Sequence, residues 1–190
     1  GTSFYRDNEG GFWRAYLYID DSLSLDLPRN AQDFKESAIA FGRFQHYLRD
    51  YPAKTLFISI PHFHDTPKRY RDFLEAVKND KAGRRNGVLA EVSFIEERKK
   101  TFGTIEEELR NGTIPLRVTH NDTKLNNVLL DKETGKALAV IDLDTIMPGS
   151  ALYDFGDSIR FGANMAKEDE KDFSKVSLSL PLFQAYVDGY

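Results

Sequence analysis

The sequence predicts an α+β fold, a mostly helical body that carries one short β-hairpin. Apolar residues recur at helical spacing, most clearly Phe34, Ala38, Phe41, Phe44 and Leu48. Short apolar runs at 116–118, 128–130 and 137–141 are joined by turn chemistry rather than by long crossovers. The balance of 41% hydrophobic and 29% charged residues over 190 positions is that of a globular chain with one main core.

The elements follow in order. Gly10-Gly11 reads as the turn of a hairpin between residues 2–7 and 12–19. In the second arm Trp13, Ala15, Leu17 and Ile19 alternate with Arg14, Tyr16 and Tyr18, which predicts a strand with one buried face. Asp20-Asp21-Ser22 then reads as a hinge, or as a plain sheet edge. Asn30 opens a helix to about Asp50, with Asp33 at the capping-box position and Pro52 as its stop. Thr66 as N-cap and Pro67 as first residue start a second helix. Tyr70, Phe73, Leu74 and Val77 form its inner face, and Lys68, Arg69 and Arg71 a solvated basic flank. A basic turn at 81–86 precedes helices at 88–100 and 104–110, the latter stopped by Asn111-Gly112. Residues 116–118 form a short strand. Val128-Leu129-Leu130 and 137–141 form the hairpin, turned by 131–135. Residues 153–161 form a helix, 167–171 a charged loop, and Leu182, Phe183, Tyr186 and Val187 an amphipathic stripe.

The chemistry lies around the hairpin. His120-Asn121-Asp122-Thr123-Lys124-Leu125-Asn126-Asn127 fits H-x-D-x-x-x-x-N, and Asp142-Leu143-Asp144 follows the returning strand. Phosphoryl transfer needs a carboxylate at the acceptor hydroxyl and Mg²⁺ on the donor phosphates. Mg²⁺ prefers hard oxygen ligands. Asp122 is the candidate base. Lys124 can set a positive charge near the transferred group. The hairpin folds Asp142 back beside Asn127, so the two can share an ion. In an extended segment Asp144 would point the same way as Asp142, which makes it a candidate second metal ligand. The alternative is a hairpin with acidic residues at its mouth. His120 reads as a buried scaffold residue. Asp154-Phe155-Gly156 spells a kinase-like D-F-G, but it lies too far past Asp122 if Asp142 fills that role. Asp154 then becomes structural, capping the next helix or holding the loop.

Composition excludes other classes. A net charge of −4 disfavours nonspecific nucleic-acid binding. The four His residues show no zinc spacing, and His62 and His64 read as loop residues. The absence of Cys rules out disulfides and fits a reducing, cytoplasmic compartment. No apolar run reaches the length of a membrane span. No signal peptide is visible.

The run VTHNDTKLNNVLLDKETGKALAVIDLDTIMPGSALYDFGDSIRFGAN, with FHDTPKRYRDFLEAV and AFGRFQHYL upstream, resembles the aminoglycoside phosphotransferase superfamily of kinase-like enzymes. The IDLDTIMPG and YDFGD pieces make it most similar to the N-acetylhexosamine 1-kinases, some of whose relatives carry the name mucin desulfatase. The resemblance implies a protein-kinase-like fold. It implies transfer of the γ-phosphate of ATP, with Mg²⁺, to the anomeric hydroxyl of N-acetylglucosamine or N-acetylgalactosamine. It carries the base to Asp122 and the metal to Asn127 and Asp142, and suggests Arg160 or Phe161 in the sugar pocket. Backbone near Tyr18, Ile19 and Asp20 would bind the adenine. Residues 1–20 would be the last strands of a small nucleotide lobe with its hinge, and 21–190 the large catalytic lobe.

The chain departs from the pattern in lacking a phosphate-covering loop and a strand lysine. It also begins with Gly1 and ends inside an apolar stripe. It is therefore expected to be a fragment, with its small lobe largely missing, the end of its large lobe cut, and little activity alone. Other readings are a choline, homoserine or aminoglycoside kinase, or a noncatalytic pseudokinase-like binding protein. Sulfatase chemistry needs C/S-x-P-x-R, and Ser59-Ile60-Pro61-His62-Phe63 lacks the Arg. Oligomeric state is not legible.

Overall fold

The computed structural model describes residues 3–166 and 168–190. Thr2 of the first expected strand and Lys167 of the expected charged loop lie outside them. The elements run β1 (Tyr5–Arg6), β2 (Phe12–Trp13), β3 (Ser22–Leu23), α1 (Ala31–Tyr47), α2 (Thr66–Asn79), α3 (Leu89–Arg98) and α4 (Thr104–Asn111). Then come β4 (Arg117–Thr119), β5 (Val128–Asp131), β6 (Ala137–Val140), β7 (Met147–Gly149), α5 (Ala151–Gly162) and α6 (Leu180–Gly189). The architecture is α+β.

Helix α1 organises the interior. Asn30 caps it by accepting from the amides of Gln32 and Asp33 at 2.9 and 3.1 Å. Asp33 does not close the box on Asn30 itself. Its carboxylate takes the Arg29 amide at 3.0 Å and the Arg29 guanidinium at 2.8 and 2.9 Å. One side of α1 packs Phe34 and Ala38 on Ala163 and Tyr186, so α5 and α6 close over it. The next turn packs Ala40 and Phe41 on Val128 and Leu130 of the hairpin. The expected stripe is thus split between two cores, and it joins the helical layer to the catalytic hairpin.

The described residues form three small sheets. β1 pairs with β2, β3 with β5 and β5 with β6, and β4 with β7, all antiparallel. The hairpin β5–β6 turns through Asp131, whose Oδ1 accepts from the Glu133 and Thr134 amides at 3.1 and 2.6 Å, and through Gly135 at φ 69°.

Several expectations are corrected. The strand expected over 12–19 shrinks to Phe12–Trp13, and all of 12–20 is exposed. Among the described residues, alternation there has no partner strand beyond β1 and no second layer to bury a face. Ser22, expected in the hinge, instead begins β3 and pairs with Asp131. Helix α1 ends at Tyr47, before Pro52, because the chain tightens into Arg49 to His46 and Tyr51 to Leu48 turns. Pro52 leads a 3-10 turn at Ala53–Thr55. The cap of α2 is Asp65, which accepts from the Lys68 amide at 2.8 Å, and Thr66 is already helical. In α2, Tyr70, Phe73 and Val77 are half-buried and Leu74 is exposed. Among the described residues no helix is long and apolar enough to cross a membrane.

Candidate active site

Strand β4, held against β7, delivers the chain to His120. The loop then makes a sharp turn at Asn121, whose φ is 68°. Asn tolerates this left-handed region better than most residues. Asp154 in the first turns of α5 holds the turn from below. Its Oδ2 accepts from the His120 amide at 2.9 Å, and its Oδ1 from the Asn121 amide at 2.8 Å. Gln45 of α1 adds a third donor at 3.0 Å. Burial pushes the Asp154 carboxyl up, and these N–H donors oppose the shift. Ser150, not Asp154, caps α5.

His120 is fully buried, with Phe41 and Phe44 edge-on at 5.5 and 5.8 Å. Its Nε2 lies 2.9 Å from the Ile141 carbonyl, so Nε2 carries the proton. Its Nδ1 then accepts from the Asp122 amide at 3.3 Å. One ring therefore ties the end of β6 to the residue that bears the candidate base.

The Asp122 carboxylate is partly exposed and held from two sides. Asn127 Nδ2 donates to its Oδ2 at 3.0 Å and to its carbonyl at 2.8 Å. Lys124 Nζ lies 3.6 Å from Oδ1. Asn127 Oδ1 accepts no hydrogen bond among the described residues. The Ile141 amide donates to the Asn127 carbonyl at 2.9 Å, which sets Asp142 beside Asn127 at the mouth of the hairpin. Asp142 is exposed and adopts φ 59°.

Asp144 behaves otherwise. Asp142 begins a 3-10 turn at Leu143–Thr145, so the segment is not extended and the two carboxylates do not align as on a strand. Asp144 instead pairs with the guanidinium of Arg14. Among the described residues no group of three or more His, Cys, Asp or Glu converges as a metal cage. Asn127 Oδ1 and the Asp142 carboxylate are two hard oxygen groups carried at the same end of the hairpin, where the Ile141 amide donates to the Asn127 carbonyl. That fits Mg²⁺, which takes one or two protein ligands and fills the rest with phosphate and water.

A cleft of about 420 Å³ opens beside Asp122. Lys124, Asp157, Arg160, Glu168, Arg69 and His64 line it. A second cleft of about 300 Å³, lined by Asp26, Leu27 and Phe161, shares Lys124 and Glu168 with the first. Arg160 and Phe161 therefore face neighbouring clefts, with Lys124 between them and 5.9 Å from the Phe161 ring. Arg160 is braced by Asp157 at 2.8 Å and Glu168 at 3.0 Å. Tyr18 and Ile19 are exposed, outside any strand, and line neither cleft, as is true of Asp20. The Ile19 carbonyl accepts from Ser22 Oγ at 2.7 Å, and the Asp21 carbonyl from the Lys132 amide at 2.9 Å, which zips this segment onto the hairpin.

Four residues at the cleft lie outside the expected site: His64, Asp157, Glu168, and Arg69, which is expected on a solvated flank. His64, expected as a loop residue, stacks on Tyr153 and faces Asn121. Asp157 accepts from the Thr123 amide at 2.9 Å and braces Arg160. Glu168, expected within a solvated charge run, lies 3.6 Å from Lys124. Asp157 stands in the YDFGD piece and His64 in the FHDTPKRYRDFLEAV piece, and these are the signals that point to them.

A family model described as a phosphotransferase enzyme family, APH, matches residues 5–173, most of the chain. The loop from His120 to Asn127, the hairpin and the Asp122 cleft all lie inside the matched span. The α+β architecture is that of part of a protein-kinase-like domain, and the chain belongs to the APH phosphotransferase enzyme family.

Proposed function

We propose that the chain carries the catalytic centre of a small-molecule kinase that moves the γ-phosphate of ATP to a sugar hydroxyl. The preferred acceptor is the anomeric hydroxyl of N-acetylglucosamine or N-acetylgalactosamine. The carrying observation is the Asp122 carboxylate, braced by Asn127 and Lys124 at the edge of a cleft.

In this reading the acceptor hydroxyl donates to Asp122, which orients it and takes its proton as the oxygen attacks. Lys124 lies on the same carboxylate and can follow the charge on the phosphoryl group. Asn127 Oδ1 and the Asp142 carboxylate would hold Mg²⁺, which supplies charge neutralisation on the donor phosphates when bound. Arg160 and Phe161 would line the sugar subsite. Residues 1–20 would belong to the nucleotide lobe, with adenine near Tyr18, Ile19 and Asp20, and 21–190 to the catalytic lobe. Asp144, engaged by Arg14, takes no metal role in this reading.

The charge of the cleft favours a neutral acceptor over a polycation. Its three acids, Asp122, Asp157 and Glu168, are matched in number by Lys124, Arg160 and Arg69. An aminoglycoside or choline site would need unspent acidic or aromatic surface.

The test is a coupled phosphorylation assay on the full-length protein. N-acetylglucosamine, N-acetylgalactosamine, choline and kanamycin serve as acceptors. Mg²⁺-dependent turnover of an N-acetylhexosamine is expected, falling about a hundredfold to ten-thousandfold in Asp122→Asn. Turnover with choline or kanamycin alone would move the acceptor class. Nucleotide binding without turnover of any acceptor would favour a noncatalytic binding protein.

A further inference from the structure

His64 reaches the Asp122 cleft from the segment before α2. Its ring lies parallel to that of Tyr153, with centroids 4.2 Å apart and planes within 14°. Tyr153 is itself fixed by its hydroxyl, which donates to Glu106 of α4 at 2.9 Å. The imidazole is thus positioned by two helices and cannot swing freely.

Its protonation follows from its neighbour. His64 Nε2 lies 3.1 Å from Asn121 Oδ1. The Asn121 amide has one orientation that satisfies its surroundings, because its Nδ2 donates to the carbonyls of Thr145 at 2.8 Å and Thr119 at 3.3 Å. Oδ1 therefore faces His64 and accepts, so Nε2 carries the proton. Burial lowers the His64 pKa, Arg69 adds to the effect, and Asn121, Asp157 and Glu106 oppose it. The ring is neutral near pH 7. Its Nδ1 keeps a lone pair, and no described residue donates to it.

Resting on the kinase reading above, we propose that His64 is a specificity-determining residue of the acceptor subsite. A second hydroxyl or amide N–H of the acceptor donates to His64 Nδ1, while the reacting hydroxyl faces Asp122. The residue before Asp122 is the one that fixes the imidazole, so the two contacts share one rigid frame. Such a site selects acceptors that carry two hydrogen-bond donors. It discriminates against a quaternary ammonium group, which has none.

Two substitutions separate binding from scaffolding. His64→Gln can place an N–H where Nε2 stood and still donate to Asn121, but it has no acceptor at the Nδ1 position. His64→Asn does the reverse. Its Oδ1 falls at the Nδ1 position, and the bond to Asn121 is lost. In the active gene product, His64→Gln is expected to raise the KM for N-acetylglucosamine about tenfold. The KM for ATP should hold, and His64→Asn should keep most of the acceptor affinity. The opposite pattern, Gln tolerated and Asn damaging in kcat, would make His64 a prop for Asn121 and overturn the proposal.

A second readout does not depend on turnover. In ¹⁵N-labelled protein the His64 ring should appear as the Nε2–H form. Its Nδ1 resonance should move saturably with N-acetylglucosamine and stay still with choline. That shift without phosphorylation of any acceptor would retain the subsite and reject the kinase. Phosphorylation of N-acetylglucosamine with Nδ1 unmoved would retain the kinase and reject the subsite. Neither shift nor turnover would reject both.

Discussion

Asp154 carries the heaviest load of any single side chain near the site. It accepts the amides of His120 and Asn121 on its two oxygens, and its own carbonyl accepts from Thr123 Oγ at 2.6 Å. Asp154→Asn keeps shape but replaces one acceptor with an NH₂ group. In either amide orientation two donors then face each other in a buried space. We expect a loss of about 1–3 kcal/mol in urea unfolding, with reduced turnover because the loop bearing Asp122 shifts. Unchanged stability and unchanged kcat would show that the loop is held by His120 instead. The sequence offered both helix capping and loop holding for this residue. It could not choose, because the choice depends on α5 lying under a loop that comes more than thirty residues earlier in the chain, a tertiary contact no local pattern encodes. His64 was invisible for the same reason: its partners come from the catalytic loop and from α5, remote in sequence.

Elements with local causes were the legible ones. The turn at 131–135, the Asn30 cap and the Gly112 stop, at φ 75°, are set by residues within a few positions. The strand over 12–19 failed because alternation specifies a face only when a layer exists to cover it. At the N-terminus of α1, Arg29 holds the Asp33 carboxyl below the usual carboxylate range. A depressed carboxyl stabilises the fold above its unfolded pKa, and that gain is lost as pH falls through the folded one. The stability gap between wild type and Asp33→Asn should therefore be full at neutral pH and narrow below about pH 4. A gap independent of pH would assign the effect to packing. Where α5 crosses α1, the Phe34 ring lies directly on Gly162, and an added Cβ would overlap its edge. Gly162→Ala gains about 1 kcal/mol in helix propensity but overpacks a full core at about 1–3 kcal/mol. Net destabilisation is expected, with relief in Phe34→Leu. Stabilisation by Gly162→Ala would mean that α5 can slide on α1.

At the scale of the whole molecule, the fold divides by how much each part is packed. α1, α5, α6 and the hairpin share two buried clusters, whereas α2, α3 and α4 contain no buried residue and residues 12–20 are all exposed. The only Trp, Trp13, lies in that exposed stretch. Its Nε1 donates to Asp7 Oδ2 at 2.6 Å within the same hairpin, so its environment is local. Segments with few buried contacts open at lower free energy than the core. Two probes should then disagree. Helical circular dichroism reports on every helix, the packed α1, α5 and α6 together with the less buried α2, α3 and α4, while Trp fluorescence follows β1–β2 alone. We expect a red-shifted native Trp spectrum and a fluorescence change complete at lower urea than the loss of helix. Tyr190 packs on Tyr186 and Phe155 and reports on the other side, so near-ultraviolet tyrosine signals should track the helical transition. Coincident transitions would show one cooperative unit, held by the Arg14–Asp144 pair and the zip of Lys132 onto Asp21. Charge reversal at Arg14 would then lower both transitions together. If they are separate, it should shift the Trp transition alone, placing the physical boundary near residue 21, where β3 joins the hairpin.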